Sequence, residues 1–416
     1  MKIKLFDIKL TIISNGPFAF HRGKYFGQEL LSRYIENLTP YFSHITICAR
    51  LLTKGEDEYE SWSKYEIRSD KISFLELPSR VGQDKKIYEK IIRLIKIAKV
   101  IFKAIRSWEL IYIFIPSNTG AITYLINKFF SKPFFTYVAS DWVEISPYNF
   151  RWSGYKKYLF YPIYRSLNRL FENRIVKNSL VTLVVGKALY KKHKGKGKAV
   201  YETAPLINLS KNDIFYRDDT CRSKPIKCLF VGSLIRRKGI EYLIEAIRRL
   251  RKDNYGVELI IVGDGELRGK FELLAQDLQI KHVKFLGYVE NGPKLLHIYR
   301  NSDIFVLPTL SEGFPRVLYE AMSQSLPIVT TNVSGITGLM KNGKNAVLVP
   351  PRSPEAIAKG ISKIIKDVKF RQNLIKNGRE TVSNIFGKDP VKQLVDLLSQ
   401  HFTDHSRYLQ QRSYYQ

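Results

Sequence analysis

Short runs of apolar, mostly β-branched residues punctuate this chain, and between them apolar positions recur at helical spacing. In the first half the runs are Leu10 to Ser14, Ile45 to Cys48, Ile72 to Leu77, Ile111 to Ile115, Phe134 to Val138 and Val181 to Val185. A second series comprises Cys228 to Val231, Leu259 to Val262, Val283 to Leu286, Ile304 to Leu307, Pro327 to Thr330 and Ala346 to Val349. Unbroken apolar runs of this length are the pattern of parallel strands covered on both faces. Two series of strands alternating with helices predict an α/β protein with two doubly wound sheets.

Between Lys187 and Pro225 the pattern changes. Lys191, Lys192, Lys194, Lys196 and Lys198 stand among two glycines, followed by a polar segment and two prolines, which is the composition of a linker. The predicted organisation is therefore one domain over 1–205, a second over 206–387, and a last helix within 388–416, from about Asp389 to Phe402, that packs back. No repeat of solenoid period is present. One further helix is predicted between Asp84 and Trp108, where Ile87, Ile91, Leu94, Ala98, Ile101 and Ile105 form a stripe opposite Lys85, Lys96, Lys99 and Lys103. Such a helix either covers a sheet and solvates its lysines or lies on an anionic membrane, and the basic, aromatic stretches Arg151 to Arg165 and Arg169 to Lys177 extend the second option.

Composition narrows the class. The chain has 416 residues, 44% hydrophobic and 25% charged, which suits globular domains rather than a disordered chain. Cys48, Cys221 and Cys228 are too scattered for a disulfide framework or a metal cage and fit a reducing compartment. Asp7 and Lys9 interrupt the apolar start, so it reads as a first strand rather than a secretory signal, and a cytoplasmic protein is expected. No stretch reaches the roughly 18 to 20 apolar residues of a membrane span. The net charge of +30 points to a polyanion, whether membrane surface, nucleic acid or anionic substrate.

The candidate chemistry lies in Ser311-Glu312-Gly313-Phe314-Pro315-Arg316-Val317-Leu318-Tyr319-Glu320-Ala321-Met322, which follows a strand and opens a helix with Pro315 in its first turn. This places Glu312 in the loop and Glu320 about two turns inside the helix, both able to face one cleft. The amides of Gly313 and Phe314 are offered to an oxygen-rich ligand. Carboxylates accept hydrogen bonds from paired sugar hydroxyls, although two glutamates at a helix start are equally compatible with a solvated surface.

The surrounding motifs resemble those of the retaining glycosyltransferases of family 4. They are Val231-Gly232-Ser233-Leu234 with Arg237-Lys238-Gly239, Ile261-Val262-Gly263-Asp264-Gly265, Phe285-Leu286-Gly287, Leu307-Pro308 before the glutamate segment, then Pro327-Ile328-Val329, Gly335 and Val349-Pro350. The resemblance covers the second half in order; the first half matches in rhythm and in its opening. It implies the GT-B fold, two facing Rossmann-like domains with a cleft between them. It also implies transfer, with retention, from a nucleotide-sugar donor, UDP- or GDP-linked, to a glycan or lipid-linked acceptor. By the same resemblance Glu312 contacts the transferred sugar, Glu320 the ribose and Lys238 the diphosphate, with Arg237 assisting. The loop of Gly16 with His21 and Arg22, before a helix expected at Tyr25 to Asn37, resembles the family's glycine loop near donor phosphate and acceptor.

Three positions depart from the family pattern. Ser233 stands where arginine is common, Val138 where a histidine is common, and Gly338 where a glutamate is usual; Asp141 becomes the acidic candidate on the first domain's side. No Asp-any-Asp motif ends a strand, so no metal or other cofactor is expected, and cations with helix dipoles offset the diphosphate charge. The basic surface suggests a peripheral enzyme at the inner face of the cell membrane, with nucleic acid disfavoured by the absence of a recognised motif. The rivals are a nucleotide-sugar epimerase of the same architecture and an inactive, polyanion-binding relative.

Overall fold

The computed structural model describes residues 5–14, 16–54, 59–78, 87–144, 155–280, 282–386 and 388–413. The first sheet contains β1 (Lys9–Ile13), β2 (Phe18–His21), β3 (Lys24–Gly27), β4 (His44–Leu52), β5 (Tyr65–Glu66), β6 (Ile72–Leu77), β7 (Leu110–Ile115), β8 (Phe134–Val138), β9 (Thr182–Val185) and β10 (Val200–Thr203). Their order is β10-β9-β8-β7-β1-β4-β2-β3-β5, with β6 on β4. The second sheet contains β11 (Ile226–Val231), β12 (Val257–Val262), β13 (Val283–Gly287), β14 (Ile304–Leu307), β15 (Ile328–Thr331) and β16 (Val347–Val349), in the order β13-β12-β11-β14-β15-β16.

All six strands of the second sheet run parallel, and each falls on a predicted apolar run. Alternation along the first sheet explains why its runs are continuously apolar. In β7, Leu110, Tyr112 and Phe114 enter one core, whereas Ile111, Ile113 and Ile115 enter another on the opposite face. Burying both faces of a strand removes water from every side chain, at about 25 cal/mol per Å² of apolar surface. The second sheet has its own core.

Two expectations fail where local turn chemistry wins over the apolar rhythm. Tyr25 does not start a helix: Arg22 and Gly23, both at positive φ, make a tight turn joining β2 to β3, and the helix begins only at Glu29. The lysine-rich stretch after Lys187 is not linker either. Lys187–His193 is a helix and β10 pairs with β9, so this stretch completes the first sheet. The chain crosses between sheets after Thr203 and returns before helix Pro390–Ser413, whose Val391, Leu394 and Leu398 are buried in the first core.

The amphipathic helix spans Ile87–Ala104. Ile97, Ile101 and Ile105 are buried against the sheet, but Ile91, a member of the same predicted stripe, is exposed. Asp84 and Lys85 lie outside the described residues, as does Arg151. Among the described residues no helix is long and apolar enough to cross a membrane.

Candidate functional site

In a doubly wound sheet, ligands bind at the carboxyl edge where the strand order reverses. In the second sheet that reversal is between β11 and β14, paired through Cys228 with Ile304 and Leu229 with Phe305. The loops leaving these strands hold Arg237-Lys238 and Glu312. They are stitched together: the Leu310 amide donates to the Arg237 carbonyl at 2.7 Å, and the Thr309 hydroxyl donates to the same oxygen at 3.0 Å. Gly239 follows because a Cβ there would come within 2.4 Å of the Pro308 carbonyl oxygen, and its φ of 64° is left-handed. A Lys-Gly pair is therefore what permits the two loops to meet.

Glu312 is buried at the centre of this junction. Its Oε2 lies 2.5 Å from the Lys238 ammonium and its Oε1 3.2 Å from the Arg237 guanidinium. Burial pushes the carboxyl up, but Lys238 and Arg237 outweigh it and hold Glu312 below the usual carboxylate value. Burial likewise lowers Lys238, against the opposing pull of Glu312. The two residues assigned to sugar and diphosphate thus touch each other, and Arg237 completes a fixed triad.

Helix Arg316–Ser323 starts later than expected, with Pro315 as its cap, so Glu320 sits little more than one turn inside rather than two. The Tyr299 hydroxyl donates to its Oε2 at 2.7 Å. Burial raises the Glu320 pKa, with Tyr299 and Arg316 opposing. One motif accordingly contains a carboxylate held down and another held up.

The opposite wall comes from the first domain. Asp141, Lys192, Glu312, Gly313, Phe314 and Gly335 all line one cavity of about 850 Å³. Asp141 Oδ1 accepts from the amides of Val143 at 2.9 Å and Glu144 at 3.1 Å, and it pairs with Lys192 at 2.8 Å. Burial raises its pKa, but Lys192 and the two amides reverse the shift and leave it low. Behind it, buried Glu172 accepts from the Lys192 ammonium at 2.5 Å and the Trp142 amide at 3.1 Å, and the His193 ring nitrogen stands 2.8 Å away outside hydrogen-bond geometry. Lys192 and Glu172 are functional candidates the sequence hides, since Lys192 is one member of a lysine run and Glu172 is twenty residues away from it.

The walls meet directly. A Cβ on Gly313 would lie 2.1 Å from Ser140 Cβ, so glycine permits this closeness; the Ser334 hydroxyl donates to Glu144 across the cleft. Gly335 presses on the Glu312 carbonyl, where a Cβ would approach to 1.9 Å. Phe314 packs against both domains' cores.

Other predicted positions are placed less centrally. Gly16 follows β1, bound to Ser14 Oγ, and the Trp62 indole occupies the space a Cβ would need. His21 and Arg22 sit at the tip of the β2–β3 hairpin. Val138 is buried in the core on the other face of the first sheet, with Ile113 and Val184; Ser233 is exposed, and Gly338 lies 3.3 Å, by its would-be Cβ, from the Ala188 amide.

Residues 214–381 match the family described as glycosyl transferases group 1. An uncharacterized glycosyltransferase of Methanocaldococcus jannaschii is 35% identical over 164 residues, 39% of this chain and 42% of its own length. The capsular polysaccharide biosynthesis glycosyltransferase CapM of Staphylococcus aureus is 29% identical over 182 residues, 42% of this chain and 46% of CapM. The aligned stretches span less than half the length of these curated relatives. Among solved structures, sucrose-phosphate synthase from Thermosynechococcus elongatus has a TM-score of 0.70 at 19% identity, covering 95% of this chain and 100% of that one. Anabaena HepE in complex with UDP and glucose has a TM-score of 0.61 at 18% identity, covering 94% and 99%. The fold is GT-B, two Rossmann-like domains facing each other across the cleft.

Proposed function

We propose that this protein is a retaining glycosyltransferase that takes a sugar from a nucleotide-sugar donor, UDP- or GDP-linked, without a metal ion. The observation that carries the reading is the Glu312–Lys238–Arg237 triad at the strand-order reversal of the second sheet. Departure of a nucleoside diphosphate develops negative charge, and two fixed cations at that point stabilise it where water is excluded. Lys238 has three donors, so it can serve Glu312 and a phosphate oxygen together. Glu312, kept ionised by the same cations, accepts hydrogen bonds from the sugar. Glu320, oriented by Tyr299, accepts from the ribose, and the Gly313 and Phe314 amides face the phosphates.

Asp141, held by Lys192, orients the acceptor hydroxyl from the opposite wall, with His21 and Arg22 farther along the acceptor side. Similarity to CapM, a capsular polysaccharide enzyme, and to HepE, solved with UDP and glucose, supports a glycan-building role and a nucleotide-sugar donor. We assign the acceptor to a lipid-linked or polysaccharide intermediate and the protein to the cytoplasmic side of a membrane, as a peripheral enzyme.

The test is thermal stabilisation of the purified chain, and of Glu320→Ala, by nucleoside diphosphates and their sugars without added metal. A shift for one nucleotide that the variant loses supports the donor site. No shift with any of them overturns it, and conversion of the donor sugar without acceptor would make the protein an epimerase instead.

A further inference from the structure

Three helices lie side by side on one face of the first sheet: Ile87–Ala104, Asn118–Phe130 and Tyr155–Asn178. Ile97, Ile101, Ala121, Tyr124, Ile175 and Val176 bury their inner sides in a common core, and Phe102 meets Phe130 edge-on at 5.3 Å between ring centres. Their outer sides mix basic with large apolar side chains. Most of the large apolar side chains exposed among the described residues belong to these three helices, including Ile91, Ile95, Phe102, Phe129, Ile163 and Leu167. Phe129 is 84% exposed and Ile163 56%. Single exposed apolar residues are ordinary; a contiguous face of them marks an interaction surface.

The charge around this face selects its partner. Glu89 and Glu172 are the acidic residues of the three helices, and Glu172 is buried. Lys96, Lys99, Lys103, Lys128, Arg165 and Arg169 are all exposed beside the apolar positions. An apolar surface rimmed almost wholly by cations suits a medium that offers hydrocarbon under a layer of negative charge. We propose that the outer face of these three helices docks the protein on an anionic phospholipid bilayer. Long basic side chains reach headgroup phosphates while Ile91, Ile95, Phe129 and Ile163 enter the acyl boundary.

Topology gives the docked protein an orientation. Each helix follows a parallel strand and runs back antiparallel to it, so its first turns lie at the sheet's carboxyl edge. Ser140 and Asp141, which follow β8, face the second domain at that edge. Ile91, Ile95 and Ile163 are therefore on the cleft's side of the docking face. A lipid-linked acceptor would keep its tail in the bilayer and extend its head group into the cleft; this last clause rests on the transfer reading, whereas docking itself does not.

The experiment is co-sedimentation of the full chain with phosphatidylglycerol–phosphatidylcholine vesicles and with phosphatidylcholine alone, for wild type, Ile91→Glu/Ile95→Glu and Phe129→Glu. Nucleotide-induced thermal shift is measured on each protein to show that it is folded and to test the donor site separately. The proposal expects preferential binding to anionic vesicles. It also expects a loss of about tenfold or more in the double variant and of several-fold in Phe129→Glu, whose side chain supports no core. Raising the salt should weaken binding. Wild type that stays in the supernatant at low salt, or variants that sediment as well as wild type, would overturn it. So would a dimer in vesicle-free solution that Phe129→Glu converts to monomer, since the face would then belong to a second copy.

Discussion

The two walls of the cleft are built from the same parts, a carboxylate against a lysine, yet they are assembled in different ways. On the second domain Glu312 and Lys238 come from loops that leave neighbouring strands at the reversal of strand order, and glycines let those loops touch. On the first domain Asp141 caps a helical turn and meets Lys192 from the helix that follows the next strand, β9, with Glu172 beneath. One wall is thus specified by short motifs and the other by tertiary packing. A diphosphate is the same in every donor of its class and can be met by a fixed motif; an acceptor has no such constant part.

Removing the lysine ammonium from each wall in turn should separate the two by the largest margin. On the proposed function, Lys238→Met should lower transfer by about a hundred- to a thousandfold and abolish nucleotide-induced stabilisation, because it would remove the cation proposed to meet the leaving diphosphate. Lys192→Met should leave nucleotide stabilisation intact and act through the acceptor, seen as a raised acceptor KM or lowered kcat at saturating donor. If Lys192→Met lost nucleotide binding and Lys238→Met kept it, the assignment of the walls would be reversed.

Glu172→Gln addresses the support rather than the surface. Glu172 is buried and takes the Lys192 ammonium and the Trp142 amide together, with the His193 ring beside it, so neutralising it removes one of the two carboxylates on Lys192 and leaves Asp141. Because Asp141 still compensates the Lys192 charge, the cost is that of lost buried hydrogen-bond partners, about 1 to 3 kcal/mol, rather than that of an uncompensated buried charge. Chemical denaturation should show a loss of that size, and donor-induced stabilisation of the remaining folded protein should persist. A loss below about 1 kcal/mol, the scale of a surface pair, would mean that the first wall does not depend on Glu172.

The contrast also explains what could be read from the sequence. Strands buried on both faces leave continuous apolar runs, so Ile111 to Ile115 and Cys228 to Val231 were legible. The meeting of Lys238 with Glu312 leaves a trace in the glycines beside them, Gly239 against Pro308 and Gly313 against Ser140, whereas Glu320 stands between Tyr319 and Ala321 and is marked only by its spacing from Glu312 and by the resemblance. The β2–β3 hairpin was missed because its aromatic residues carry no helical or strand period strong enough to outvote a nearby helix, and only Arg22-Gly23 betrayed the turn. Lys192 was taken for linker because charge pattern says nothing about which lysine in a run finds a carboxylate. Glu172 could not be found at all, since burial of an acid is decided by the packing of a helix whose outer side is itself apolar.

A finer distinction separates the two glutamates within the second wall. Glu312 has a depressed pKa in the fold, so it contributes stability that is present above the ordinary carboxylate value and disappears as pH falls through its lower folded value. Glu320 has a raised pKa, so it favours the fold only when protonated, and that benefit is lost as pH rises from the ordinary value through the raised one. Denaturation of wild type, Glu312→Gln and Glu320→Gln between about pH 3 and about pH 7 should therefore give opposite trends. Glu312→Gln should be less stable than wild type at neutral pH, with the gap narrowing in acid. Glu320→Gln, which can still accept from Tyr299, should be equal to or slightly more stable than wild type at neutral pH, by about 1 kcal/mol at most, with any advantage vanishing in acid. Parallel curves for the two variants would show that the motif's acids share one environment, and the division of labour between sugar and ribose would lose its electrostatic basis.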